Sequence, residues 1–166
     1  MSTIIILLTG CLSKYPSDDT MVRRFDRQRA SYESLLEGVA KRKDVRLVAP
    51  DAIAYSNIWR STDWDNNVEP ELQAAVRKLR LGEVRIYRGE EVSVYFQLPS
   101  HSTLLTDLYG EYPYHVLKGY AYLPTPPLSL FDDLSVFDKD DLVGDGNYYF
   151  EHIEGNWYLY LETDES

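Results

Sequence analysis

Beyond residue 88 the chain carries two basic side chains, Lys118 and Lys139, and over its whole 166 residues it has three histidines and one cysteine. Each scarcity excludes a class of chemistry. A nucleic-acid binder must neutralise phosphates with a basic stripe, and a formal net charge of −10 argues against one. His101, His115 and His152 are too dispersed for HExxH or a comparable metal-ligand spacing, and no second thiol is there to help them. No cofactor is expected. Internal repeats and low-complexity tracts are missing, and apart from one short run at the N-terminus there is no long apolar segment.

That run, IIILLTGC over residues 4–11, has two readings. A short apolar stretch bounded by a glycine is how a buried strand looks, and periodicity does not separate it from a leader. Its terminal place, its length below that of a bilayer span, and the polar, turn-rich SKYPSDD behind it have the order of an export signal. Leu8, Thr9, Gly10 and Cys11 resemble the lipobox of bacterial lipoproteins: an aliphatic residue, two small residues and the obligatory cysteine. The resemblance implies a signal peptide over residues 1–10, cleavage before Cys11, acylation of Cys11, a tether over 11–19 and a single domain over 20–166. No basic residue precedes Ile4, a departure from leader design that a start codon further upstream would remove. The bilayer is then a partner through acylated Cys11, since each buried methylene contributes about 0.8 kcal/mol and two or more chains hold stably. In Gram-negative lipoproteins an Asp after the acylated cysteine favours the inner membrane; Leu12 stands there, which implies the outer membrane, facing the periplasm.

Charge is divided along the chain. Residues 1–88 hold fifteen Lys and Arg against twelve Asp and Glu, and residues 89–166 hold two against fifteen, so the halves are +3 and −13. Arg23, Arg24, Arg27, Arg29, Lys41, Arg42 and Lys43 follow the tether, either facing anionic headgroups or forming a solvated helix face.

Val22, Phe25, Tyr32, Leu35, Leu36 and Val39 keep helical spacing behind the capping candidates Ser17, Asp18 and Asp19, which predicts a helix from about Thr20 to Lys41. A polar connection with scattered aromatics follows, then a second helix from Pro70 to a stop at Gly82. Val92, Val94, Phe96 and Leu98 alternate with polar or amphipathic neighbours and, with Val84 and Ile86 across a turn at Gly89 and Glu90, predict a hairpin. A strand over 114–123 ends at Pro124, a Pro-rich and then acidic loop runs to Gly146, and strands over 148–153 and 157–162 flank a turn at Gly155. The fold class expected is α+β: two N-terminal helices packed on an antiparallel meander sheet of about five strands.

The segment KGYAYLPTPPLSLFDDL and the closing hairpin around IEGNWYLYLE resemble the C-terminal part of bacterial lipoproteins of uncharacterised activity, with GYAY before a Pro-containing loop and a final IxGNWYLY hairpin. The outline of that hairpin is also similar to small exported domains of cystatin-like and NTF2-like shape, which implies a fold and no function.

Catalytic signals are thin. Ser100, His101 and Ser102 lack a GxSxG elbow, and neighbours in a strand point to opposite faces. Asp138, Asp140, Asp141 and Asp145 offer hard oxygens to calcium or are an acidic solvated loop, and the EF-hand pattern is absent. Tyrosine is plentiful, with fourteen residues. Tyr87, Tyr95, Tyr120, Tyr122, Tyr158 and Tyr160 fall in strands, and alternation sets several on the face away from the helices, either as a contact surface rimmed by Asp138, Asp140 and Asp141 or through ordinary β-propensity. Two functions remain open: a non-enzymatic envelope binding protein for a basic protein or a glycan, in one form an immunity or inhibitor protein, and an envelope hydrolase with a site of unfamiliar pattern.

Overall fold

The computed structural model describes residues 16–55, 69–99, 101–107, 110–134 and 148–165. Helix α1 spans Asp18–Lys41 and buries Met21, Phe25, Tyr32, Leu35 and Val39. Those positions recur three, four or seven residues apart, so they form one apolar stripe. Ser17 is the N-cap in extended conformation, and Asp18 and Asp19 fill the first turn, where carboxylates complement the helix dipole. At the other end Arg88 donates to the Val39 carbonyl at 2.8 Å and to the Arg42 carbonyl, satisfying acceptors that a helix C-terminus leaves unpaired.

Strands β1 (Val45–Val48) and β2 (Ile53–Tyr55) pair antiparallel before helix α2 (Pro70–Lys78) begins on Pro70. The two helices are therefore not consecutive, and the connection expected after α1 contains a strand pair. Helix α2 ends when Arg80 N–H bonds the Arg77 carbonyl at 3.0 Å and Leu81 N–H bonds the Val76 carbonyl at 3.1 Å, a Schellman turn. Arg80 takes the left-handed position at φ 53, two residues before the expected stop at Gly82. Gly38 lets the helices approach: a Cβ there would meet Leu72 Cδ2 at 2.9 Å.

The remaining strands are β3 (Glu83–Arg88), β4 (Val92–Gln97), β5 (His101–Asp107), β6 (Gly110–Tyr122), β7 (Leu130–Phe131), β8 (Tyr148–Glu154) and β9 (Trp157–Glu165). They join β1 and β2 in one nine-stranded sheet of order β2-β1-β3-β4-β6-β9-β8-β7, with β5 paired to β6 beside that path. The α+β class holds; the five-strand, all-antiparallel meander does not. β7 lies parallel to β8, making the sheet mixed, and the order steps from β4 to β6 to β9.

The expected β3–β4 hairpin forms in the register Val84↔Phe96 and Ile86↔Val94, which sets these four side chains on one face. That face carries both helices. Phe25, Tyr32, Phe96, Tyr120 and Trp157 pack ring on ring there, with centroids 4.9 Å apart for Tyr32 and Tyr120, 5.0 Å for Phe25 and Trp157, and 5.4 Å for Phe96 and Trp157. The alternate positions of the same strands bury a second, smaller cluster of Ala121, Leu123, Phe150, Tyr158 and Tyr160 on the opposite face.

Candidate functional site

The expected tyrosine surface divides between the two faces. Tyr95, Tyr158 and Tyr160 lie away from the helices, as alternation required. Tyr120 and Tyr122 do not: Tyr120 is fully buried under α1, its hydroxyl donating to the Met21 carbonyl at 3.0 Å, and Tyr122 packs on Trp157. Tyr158 and Tyr160 are themselves 3% and 1% exposed, so on the far face outward contact falls to Tyr87 and Tyr95, both named from the sequence, and to Tyr148, which was not. Cys11, Asp138, Asp140, Asp141 and Asp145 lie outside the described residues, as do Ser100 and the side chains of His101, Ser102 and His115. His152 is exposed at the last hairpin, its Nε2 3.0 Å from the Gly155 carbonyl.

On the far face the rings form a ladder across the strands. Tyr87 on β3 meets Tyr95 on β4 edge-on at 5.4 Å, Tyr95 meets Tyr160 on β9 at 5.2 Å and Tyr148 on β8 at 5.7 Å, and Tyr148 stacks on Phe150. Edge-to-face and tilted pairs at these distances stabilise beyond the area they bury. The ladder crosses β6 at Gly119, the register partner of Tyr160. A Cβ at Gly119 would lie 2.8 Å from Tyr160 Cε1 and 2.2 Å from the Phe96 carbonyl oxygen, so the glycine is what gives the Tyr160 ring its place beside β6. Tyr87 is 40% exposed, and Tyr95 and Tyr148 are half-buried, giving the ladder its open end.

A polar network flanks that end. Arg85 binds Glu83 and, at 3.4 Å, Glu162, while the Tyr148 hydroxyl donates to Glu162 at 2.8 Å. Burial works against the Arg85 charge, and the Glu83 and Glu162 carboxylates more than offset it, raising its pKa above the ordinary value. Burial pushes the Tyr95 phenol up to about 12. It raises Tyr148 further, with help from the hydrogen bond to Glu162, so these rings present neutral hydroxyls.

A second grouping was not foreseen. At the first turn of α1 the Asp18 carboxylate pairs with Lys118 of β6, both buried. Asp133, just after β7, and Glu151 of β8 each bring a carboxylate oxygen so that the three acids lie within 4.8 Å of one another. Glu151 also accepts the Leu134 N–H at 3.1 Å. Burial pushes the Glu151 carboxyl above its usual range; the Leu134 amide draws it back, and the Asp18 and Asp133 charges push it up again against Lys118. The signal for this grouping was Lys118 itself, a cation inside VLKGYAYL at the same alternation phase as Tyr120 and Tyr122. A lysine facing a core requires an acid beside it. Its partner is 100 residues away, and no local pattern names it.

Elsewhere, α1 and α2 leave a shallow groove of about 300 Å³ between Ala30, Ser31, Ser34, Ala75 and Lys78, which brings no acid and base together. Leu128, Leu130 and Phe131 are exposed along the β7 edge. Among the described residues no helix is long and apolar enough to cross a membrane. No protein-family model, no curated protein and no solved structure matches the chain.

Proposed function

We propose that the protein is a lipid-anchored lipoprotein of the bacterial cell envelope, held through Cys11 at the outer membrane, whose domain binds a partner without catalysing a reaction. The anchor rests on the LTGC sequence at residues 8–11. Six residues lie between Cys11 and Asp18, the first residue of α1, so the seven Cα-to-Cα steps of the tether span at most about 25 Å and the domain rides close to the bilayer.

The observation that carries the binding function is the open end of the aromatic ladder. Tyr87, Tyr95 and Tyr148 offer large, rigid area with polar tips at low entropic cost, on a face that neither described helix covers, beside Glu83 and Glu162. With the −13 charge of residues 89–166, this surface suits a basic protein.

Two measurements test the proposal. In a Gram-negative host, wild type should incorporate labelled palmitate and sediment with outer membranes, and Cys11→Ser should do neither; an unlabelled, soluble wild type, with a longer upstream start also tried, ends the anchor. In capture from envelope extract, Tyr87→Ala should weaken retention of the partner by about 2 kcal/mol if the ring is a hot spot. Retention equal to wild type for both Tyr87→Ala and Tyr95→Ala would remove the ladder from the binding surface.

A further inference from the structure

We infer that Asp18, Asp133 and Glu151 form a calcium site at the junction of the first turn of α1, the segment after β7, and β8. The three carboxylates supply only oxygen, the donor that hard divalent cations take, and their oxygens lie within 4.8 Å of one another. Two ligands on opposite sides of a calcium ion, each at about 2.3 to 2.6 Å, span that distance.

The acids alone do not carry the assignment. Asp18 is 6% exposed, and its two oxygens differ: Oδ1 holds Lys118 Nζ, whereas Oδ2 is buried with no hydrogen-bond partner among the described residues. A buried carboxylate oxygen without a donor is costly, and a cation beside Asp133 and Glu151 would satisfy it. The charge count agrees. The three carboxylates and the Lys118 ammonium carry −2 between them, the sign and size that suit a divalent cation. The α1 dipole opposes the cation with about half a positive charge at this end, too little to cancel −2. Asp133 is exposed, so the site is open to solvent on one side. Three carboxylates among the described residues and one open side place the affinity in the range of extracellular calcium modules, Kd about 10⁻⁴ to 10⁻³ M.

Bound calcium would join three segments of the chain: the helix that follows the tether, the segment after β7 and the β8 strand. The site uses none of the ladder residues, and its test is separate from the binding function and from the anchor.

Equilibrium dialysis of the full chain against radioactive calcium, with thermal melts across the same concentrations, tests the site. Wild type should bind about one ion per chain and melt higher in a saturable way. Asp133→Asn and Glu151→Gln, with the circular dichroism spectrum of wild type, should each weaken binding at least ten-fold and lose the calcium-dependent part of the melting shift. Asp133 is exposed, so its variant keeps the test usable even where Glu151→Gln folds poorly. No saturable binding by wild type up to about 10 mM, an order of magnitude above the weakest such modules, overturns the site. Binding that survives both substitutions overturns it as well, because the ion then sits elsewhere.

Discussion

At the scale of single residues, Gly119 shows how one absent side chain makes room for two neighbours at once. Toward β4 it gives room to the Phe96 carbonyl, and above the sheet it receives the Tyr160 ring. Gly119→Ala has backbone on one side and a packed ring on the other, so it should destabilise the domain by at least about 1 to 3 kcal/mol, read as a lower urea midpoint. An unchanged midpoint would mean that the β4–β6 ladder can open without cost. The tyrosines also set a limit at high pH. Burial holds both Tyr95 and Tyr120 up to about 12, whereas a tyrosine in the unfolded chain titrates near 10. Between those values the unfolded chain has released protons that the folded chain retains, so stability is intact below about pH 10 and falls as pH rises toward 12. Denaturant melts from pH 8 to 12 should show that decline, and Tyr120→Phe should make it shallower. The same residues mark what alternation leaves undecided. It states that Tyr120 and Tyr122 share a face and that Ala121 and Leu123 share the other. With apolar or aromatic groups on both, nothing local says which face α1 will cover.

At the scale of elements, legibility followed length and contrast. α1 has 24 residues with an apolar stripe on an otherwise charged surface, and its expected limits fall within two residues of those observed. The β3–β4 hairpin was equally plain because Val94 and Phe96 alternate with polar or amphipathic neighbours. β1 and β2 have four and three residues, too short for a period of two to stand out from a polar connection. The two residues of β7 are strand only because β8 lies beside them, as the parallel partners Leu130↔Phe150 and Phe131↔Glu151 record. The hairpin offers the clearest test of an element. Phe96 is fully buried between Tyr32 and Trp157, with ring centroids at 5.5 and 5.4 Å, so Phe96→Ala should cost about 3 to 5 kcal/mol in denaturant melts. A loss below about 1 kcal/mol would show that this aromatic cluster is not what holds α1 to the sheet.

For the whole molecule, the dominant asymmetry is electrostatic: +3 over residues 1–88 and −13 over the remainder. A basic partner should therefore be steered toward the second half, and its association rate should fall as added salt shortens the Debye length from about 30 Å to about 10 Å. Stopped-flow association at several ionic strengths measures this, and a rate indifferent to salt would assign recognition to the rings alone. The asymmetry leaves Lys118 as the cation that fastens the start of α1 to the sheet, and the fastening has a mechanical meaning. A pull delivered through the residues before Asp18 arrives at the first turn of α1 and passes through Asp18–Lys118 and Met21–Tyr120 into β6. That strand is bonded to β4 and β5 as well as to β9, nine residue pairs deep along β9 alone. Tension entering at α1 thus reaches a strand paired on both sides over many residues, whereas a load on β7 meets only the two residue pairs that hold it to β8.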